Sequence, residues 1–219
     1  VGGVLMKKHM IIALIIVMIL LPINVFAEES LEISNWLVDS QLVDNGNLEI
    51  SEDITFRFND DFNGVFRNIV KKGTDGISNL QLVQVVNGEE IPYTNDQNAD
   101  IGDTNVYSME DKGDEIVIMI FSPSDNEEKT FRLKYTILNV ATLHQDTGEF
   151  YYKYLGAGNE TPIDYFSANL ILPSSNMENV KIFAHGPLNG TINFVDNSYI
   201  MMEVSHVPTN TFIEARVLY

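Results

Sequence analysis

No cysteine occurs in this chain of 219 residues. That absence removes disulfide frameworks, thiolate nucleophiles and cysteine-ligated zinc, so stability must come from a hydrophobic core. Basic residues are scarce as well: 13 Lys and Arg face 31 Asp and Glu, for a formal net charge of −18. Nucleic-acid backbones are held by clustered Lys and Arg with release of counterions, and anionic lipid surfaces attract the same groups. The balance therefore excludes a general nucleic-acid binder and disfavours an anionic membrane surface, and it serves solubility first. Beyond Ala27, no apolar run approaches the ~20 residues of a membrane-crossing helix. The common nucleophile signatures are missing too, since neither Gly-x-Ser-x-Gly nor Ser-x-x-Lys occurs.

What is present begins at the N-terminus. Met6-Lys7-Lys8-His9 leads into the apolar stretch Met10 to Leu21, then Pro22 and the small-residue exit Val25-Phe26-Ala27. This order reads as a secretory signal peptide over residues 1–27. Cleavage after Ala27 leaves Glu28-Glu29-Ser30 as the mature start, without Lys7 and Lys8 and so more acidic still. Val1 to Leu5 carry Gly2-Gly3 where a basic start is expected. They read as an in-frame ribosome-binding site, with translation starting at Met6. Residues 28–219 are thus expected outside the cytoplasm, secreted or anchored to the cell membrane. They suffice to bury roughly 70% of the unfolded surface in a single domain without staples.

From Leu31 onward the apolar residues recur with period two. Leu48, Ile50, Ile54, Phe56 and Phe58 alternate with polar residues after the turn Asp44-Asn45-Gly46-Asn47, forming a hairpin with a strand over Ile33 to Val43. Similar runs cover 80–86, 115–121, 129–138, 150–155, 165–172, 180–184, 191–195, 199–204 and 211–218. Asn87-Gly88, Lys112-Gly113-Asp114, Asp146-Thr147-Gly148, Asn189-Gly190 and Asp196-Asn197 supply turns. Short strands at this spacing predict an all-β fold, an antiparallel β-sandwich of immunoglobulin-like or jelly-roll-like type. A helix is expected only near Phe66 to Lys71, with loops over Thr94 to Asn105 and Ser122 to Glu128.

Candidate sites are weak. Asp96-x-Asn98-x-Asp100 resembles the opening of a calcium loop, but Ile101 stands where glycine is needed and Tyr107 where a bidentate Glu should close it. His144, His185 and His206 are dispersed and read as turn or strand-surface residues. Glu149 near Tyr151, or Asp60 beside Asp61, proves no glycosidase pair among so many acids. Phe150, Tyr152 and Tyr154 share one face of a strand and are expected in the core, leaving Tyr151 and Lys153 for exposed contacts. Trp36 is expected near a sandwich edge or sealing an end of the core. No residue is assigned as catalytic, cofactor-binding or metal-ligating, and no cofactor is implied.

Four segments read together carry a resemblance. They are Phe62-Asn63-Gly64-Val65-Phe66-Arg67-Asn68-Ile69; Phe150 to Gly156 running on to Pro162-Ile163; Ala184-His185-Gly186-Pro187-Leu188-Asn189-Gly190; and Phe212 to Leu218. In order and spacing the chain from Leu31 to Tyr219 resembles the N-terminal ectodomain of a bacterial and archaeal family of predicted membrane proteins, DUF2207. Within it, Gly64 is read as a turn before Val65 and Phe66 plug the core. Arg67 is read as bonding a carboxylate or loop carbonyls, and Gly186-Pro187 with Asn189-Gly190 as bracketing a tight connection. Family members often carry Trp after the Gly156 segment, where this chain has Asn159. They also continue into a linker and transmembrane helices, whereas this sequence stops at Tyr219, as a fragment or a truncated, released product would.

The resemblance implies topology and fold, not mechanism. The resulting expectation is a non-enzymatic extracytoplasmic module that senses or binds a protein or cell-envelope component, with Asn59 to Arg67 and His185 to Asn189 as its surface. Membrane association would run through a C-terminal region beyond Tyr219 or an uncleaved signal segment. The alternatives are a carbohydrate-binding or carbohydrate-active secreted protein and a structural stalk.

Overall fold

The computed structural model describes residues 30–173, 177–196 and 198–219; the expected signal peptide lies outside them. The described residues are all-β, with no helix. In chain order the strands are β1 (Leu31–Leu42), β2 (Leu48–Val70), β3 (Ile77–Val86), β4 (Glu89–Pro92), β5 (Thr94–Asn95), β6 (Val106–Asp111) and β7 (Glu115–Ile137). They continue as β8 (Ala141–Leu143), β9 (Gly148–Leu155), β10 (Ile163–Ile171), β11 (Lys181–His185), β12 (Thr191–Val195), β13 (Tyr199–Val207) and β14 (Ile213–Leu218).

These strands form two sheets. The larger runs β12-β13-β10-β1-β2-β7-β3-β4, with β6 also pairing β7 and β5 pairing β6; the smaller runs β11-β14-β9-β8. Alternation decides which side chains go inward. In β2, Leu48, Ile50, Ile54, Phe56 and Phe58 are buried, and they share one continuous core with Phe150, Tyr152 and Tyr154 of β9 and Ala215 and Val217 of β14. Beyond Leu138 the chain passes repeatedly between sheets: β8 and β9 lie in the smaller, β10 in the larger, β11 in the smaller, β12 and β13 in the larger, β14 in the smaller. Both sheets are therefore tied to the same core by covalent crossings.

Three expectations are corrected. The strands are not all antiparallel: β1 pairs β10 in parallel, as β5 pairs β6. No helix forms near Phe66, because β2 pairs β7 as far as Val70 opposite Glu115. Val65, Arg67 and Ile69 point inward and Phe66 outward, a period of two that a charged residue in the inward register disguises. The expected loop over Ser122 to Glu128 instead lies within β7, with Asp61 opposite Asp125 and Phe62 opposite Ser124 in an irregular ribbon. Loops do occupy most of Thr94 to Asn105, relieved only by the short β5.

Candidate functional site

Two charges of opposite sign occupy inward positions on the long strand β2. Glu52 is 1% and Arg67 3% exposed. The guanidinium grips the carboxylate with both arms of its fork, Nε to Oε1 at 2.8 Å and Nη2 to Oε2 at 3.0 Å, a geometry that Lys cannot supply. Trp36 donates its Nε1–H to Glu52 Oε2 at 3.0 Å, and its ring lies 4.5 Å beneath the Arg67 guanidinium. Arg67 also donates to the carbonyls of Asn68 and, at 3.3 Å, of Tyr154 in the smaller sheet. Burial works against the charge, but the Glu52 carboxylate outweighs it and holds Arg67 above its usual range. Burial likewise pushes the Tyr152 and Tyr154 hydroxyls up, so both stay protonated.

Tyr154 ties the sheets a second time. Its hydroxyl pairs with Ser40 Oγ at 2.8 Å, and Ser40 donates to the Asn169 carbonyl at 2.6 Å. Tyr154→Phe should lower the unfolding free energy by about 1 kcal/mol, read from urea denaturation; no change would deny this contact any part in joining the sheets.

A cleft of about 550 Å³ opens beside the Arg67 network, lined by Trp36, Phe62, Gly64, Phe66, Asn68, Glu115, Leu155 and the segment 158–162. The first two family-like segments thus converge on one feature. Gly64 is not a turn: a Cβ there would lie 2.0 Å from the Ile120 carbonyl oxygen, so glycine permits close backbone approach between β2 and β7. Phe66 does not plug the core but stands 61% exposed, whereas Val65 is buried. At Gly156 a Cβ would meet Glu115 Oε1 at 2.8 Å and Val70 at 3.2 Å. Asn159 donates Nδ2–H to the Thr161 carbonyl at 2.6 Å.

The other two segments converge on a second cavity of about 420 Å³, lined by residues including His185, Pro187, Leu188, Phe212 and Ile213. Ile213 pairs with Leu155 of the first cleft, so the two cavities share one strand pair. The connection between β11 and β12 is tight, with Gly190 N–H donating to the Pro187 carbonyl at 3.1 Å. On the neighbouring sheet face, Glu214 accepts from Tyr151 at 2.7 Å and lies 3.4 Å from Lys153 Nζ and 3.5 Å from His185 Nδ1. Tyr151 lines none of the cavities described here, and its hydroxyl is engaged by Glu214.

The remaining flagged residues are occupied locally. Asp96 and Asp100 accept main-chain N–H groups of Asn98 and Ile101, and Asp60 accepts from Asp61 N–H. His144 is exposed at a turn and bonds Glu149 at 3.0 Å; this bond and Arg216 at 2.6 Å hold the Glu149 carboxyl below its usual range. His206 is an exposed residue of β13 with φ 55°. Among the described residues no three His, Asp or Glu side chains stand close enough to share a metal ion. One pairing escaped the sequence: Lys129 Nζ lies 3.2 Å from Ser122 Oγ. Ser122 is 3% exposed and Lys129 is held by the Pro123 carbonyl at 2.7 Å and Glu127 at 3.2 Å, so the pair fastens a strand.

Solved structures offer distant likenesses. A suspected protease from Parabacteroides distasonis matches at 8% identity over 88% of this chain and 41% of that one, with TM-score 0.51. The M1 zinc metallopeptidase of Deinococcus radiodurans gives 12% identity, 85% and 42% coverage and TM-score 0.44. Native leukotriene A4 hydrolase of Saccharomyces cerevisiae gives 9% identity, 85% and 29% coverage and TM-score 0.48. This chain thus spans less than half of each, and at such identities the likeness concerns fold alone. No curated protein matches. The family model described as the predicted membrane protein (DUF2207) N-terminal domain matches residues 32–219; the chain belongs to that family.

Proposed function

We propose that residues 28–219 form one extracytoplasmic β-sandwich domain of a membrane protein, and that its role is to bind or sense a cell-envelope partner without catalysing a reaction. The observation that carries this reading is the cleft beside Arg67. The two family-like segments that line it leave Phe66 61% exposed, beside the partly buried Phe62 and a rim that includes Glu115 and Glu160. An exposed aromatic at the mouth of a rigid, internally hydrogen-bonded cleft suits an apolar anchor from a partner protein. Arg67 itself is spent on Glu52 and main-chain carbonyls, which favours a structural role over anion binding. Strands β1, β2, β7 and β9, the segment 156–162 and a buried ion pair fix the geometry, and rigid scaffolds present recognition surfaces in this way.

A photo-cross-linking side chain placed at Phe66 of the full-length protein in native cells should give a discrete adduct. The same group at Thr142, an exposed site on the smaller sheet, should give none. Equal yields at both positions, or no adduct at Phe66, would sink the reading. Protease added outside intact spheroplasts should also degrade the domain; protection would place it on the cytoplasmic side.

A further inference from the structure

The outer face of the larger sheet divides into two zones. In one, charges are locked together: Arg57 reaches Glu32 at 2.7 Å, Glu128 at 3.1 Å and Asp164 at 3.3 Å, and Arg132 grips Asp53 at 2.6 Å and Glu90 at 2.9 Å. In the other lies a groove of about 420 Å³ crossing β10, β1, β2, β7 and β3 in turn. Register lines its polar residues up in two rows. Asn169 stands opposite Asp39, Asp39 opposite Ser51, Ser51 opposite Lys134, and Lys134 opposite Gln81. Beside them Ile171 faces Gln41, Gln41 faces Glu49, and Glu49 faces Thr136.

Much of the side-chain hydrogen-bonding capacity of this zone is unspent. The side chains of Gln41, Ser51, Asn79, Gln81 and Thr136 make no hydrogen bond among the described residues. Asn169 donates Nδ2–H to Asp39 at 2.8 Å, which orients its amide at the β10 end of the row. We propose that this groove binds a segment of neutral polysaccharide. Amides and hydroxyls both donate and accept, and so do sugar hydroxyls, which makes a glycan the ligand whose polar groups all find partners. Strand spacing of ~4.8 Å gives the five-strand crossing a length of ~19 Å, that of a short oligosaccharide. Asp39 and Glu49 outnumber the single groove cation Lys134, which itself lies 3.7 Å from Glu90, and the chain as a whole carries −18, so a polyanionic ligand is repelled. A peptide strand is disfavoured as well. β-Augmentation needs an open edge, whereas β1, β2 and β7 are interior strands with neighbours on both sides. Ile171, 45% exposed, offers an apolar contact for one sugar face.

This surface is separate from the cleft beside Arg67, so the inference stands or falls independently of the partner proposed there. The full chain, held in a detergent without a sugar headgroup, is titrated with cellotetraose, chitotetraose, maltotetraose and mannotetraose by calorimetry and amide NMR. At least one should bind saturably, with shifts centred on residues 39–51, 79–81, 134–136 and 169–171. Gln41→Ala with Gln81→Ala should weaken that binding by about tenfold or more. Thr136→Arg, which fills the groove without removing a core contact, should abolish it, and Thr142→Arg on the other sheet should leave it unchanged. Unaltered melting temperatures show that the variants fold. The proposal is overturned if none of the four sugars binds, if binding survives Thr136→Arg in a folded variant, or if the shifts map elsewhere.

Discussion

Arg67→Met is expected to lower the unfolding free energy by about 3–5 kcal/mol, the range for breaking a buried ion pair from one side. The cost comes less from the lost attraction than from what remains. Glu52, 1% exposed, would keep only the Trp36 N–H as a partner, and the Tyr154 carbonyl would lose its link to the larger sheet. Replacing both charges, as Glu52→Leu with Arg67→Met, should recover most of the loss, because two apolar side chains of similar bulk need no solvation. Trp36 is the only tryptophan and touches both members of the pair, so its fluorescence reports urea unfolding from inside the network. A single variant that costs no more than an exposed ion pair, under about 1 kcal/mol, would show that the pair does not hold the sheets together. A double variant as unstable as the single would show that the charges themselves are required.

Gly64→Ala should be similarly damaging, at about 3 kcal/mol or more. A Cβ at this position lies 2.0 Å from the Ile120 carbonyl oxygen, 3.0 Å from its carbon and 3.2 Å from Phe121 Cα. All three are backbone atoms of β7, so no side chain can swing aside. Relief requires shifting β7 where the β2–β7 register is already irregular, between Phe62 and Gly64, and the lining of the Arg67 cleft would shift with it. Gly73 provides the contrast: a Cβ there meets nothing within 4 Å, although its φ is +80°. Gly73→Ala should therefore cost only about 1 kcal/mol, from the left-handed backbone alone. Equal losses at the two positions in urea titrations would refute the steric account.

Much of the fold was legible because inward-facing residues repeat with a period of two. The runs over 150–155, 165–172, 191–195 and 199–204 fall close to β9, β10, β12 and β13. Legibility failed where a charge sat in the inward register. Glu52 fills the gap between Ile50 and Ile54, and Arg67 that between Val65 and Ile69; two opposite charges in apolar registers were the available signal for a buried pair. Arg67 was expected to bond a carboxylate or loop carbonyls, and it bonds both, but its partner and the strand beneath it were not readable. The parallel β1–β10 pair escaped because periodicity fixes which face a residue takes, not which strand lies beside it. The amide groove escaped for the same reason: Gln41, Gln81 and Asn169 are far apart in sequence and meet only through register.

The passage of the chain between the two sheets bears on how it can assemble. A chain made or threaded N-terminus first presents β1, β2 and β7 with their apolar faces bare, because β9 and β14, which cover them, come later. Ser40 and the Asn169 carbonyl it bonds are 129 residues apart. Closure of such distant pairs is slow relative to local pairing, so the first half of the chain dwells as a sticky, half-covered sheet. Completion of the core then waits on the final strand, and until β14 pairs the bare sheet is the form of this chain most open to aggregation.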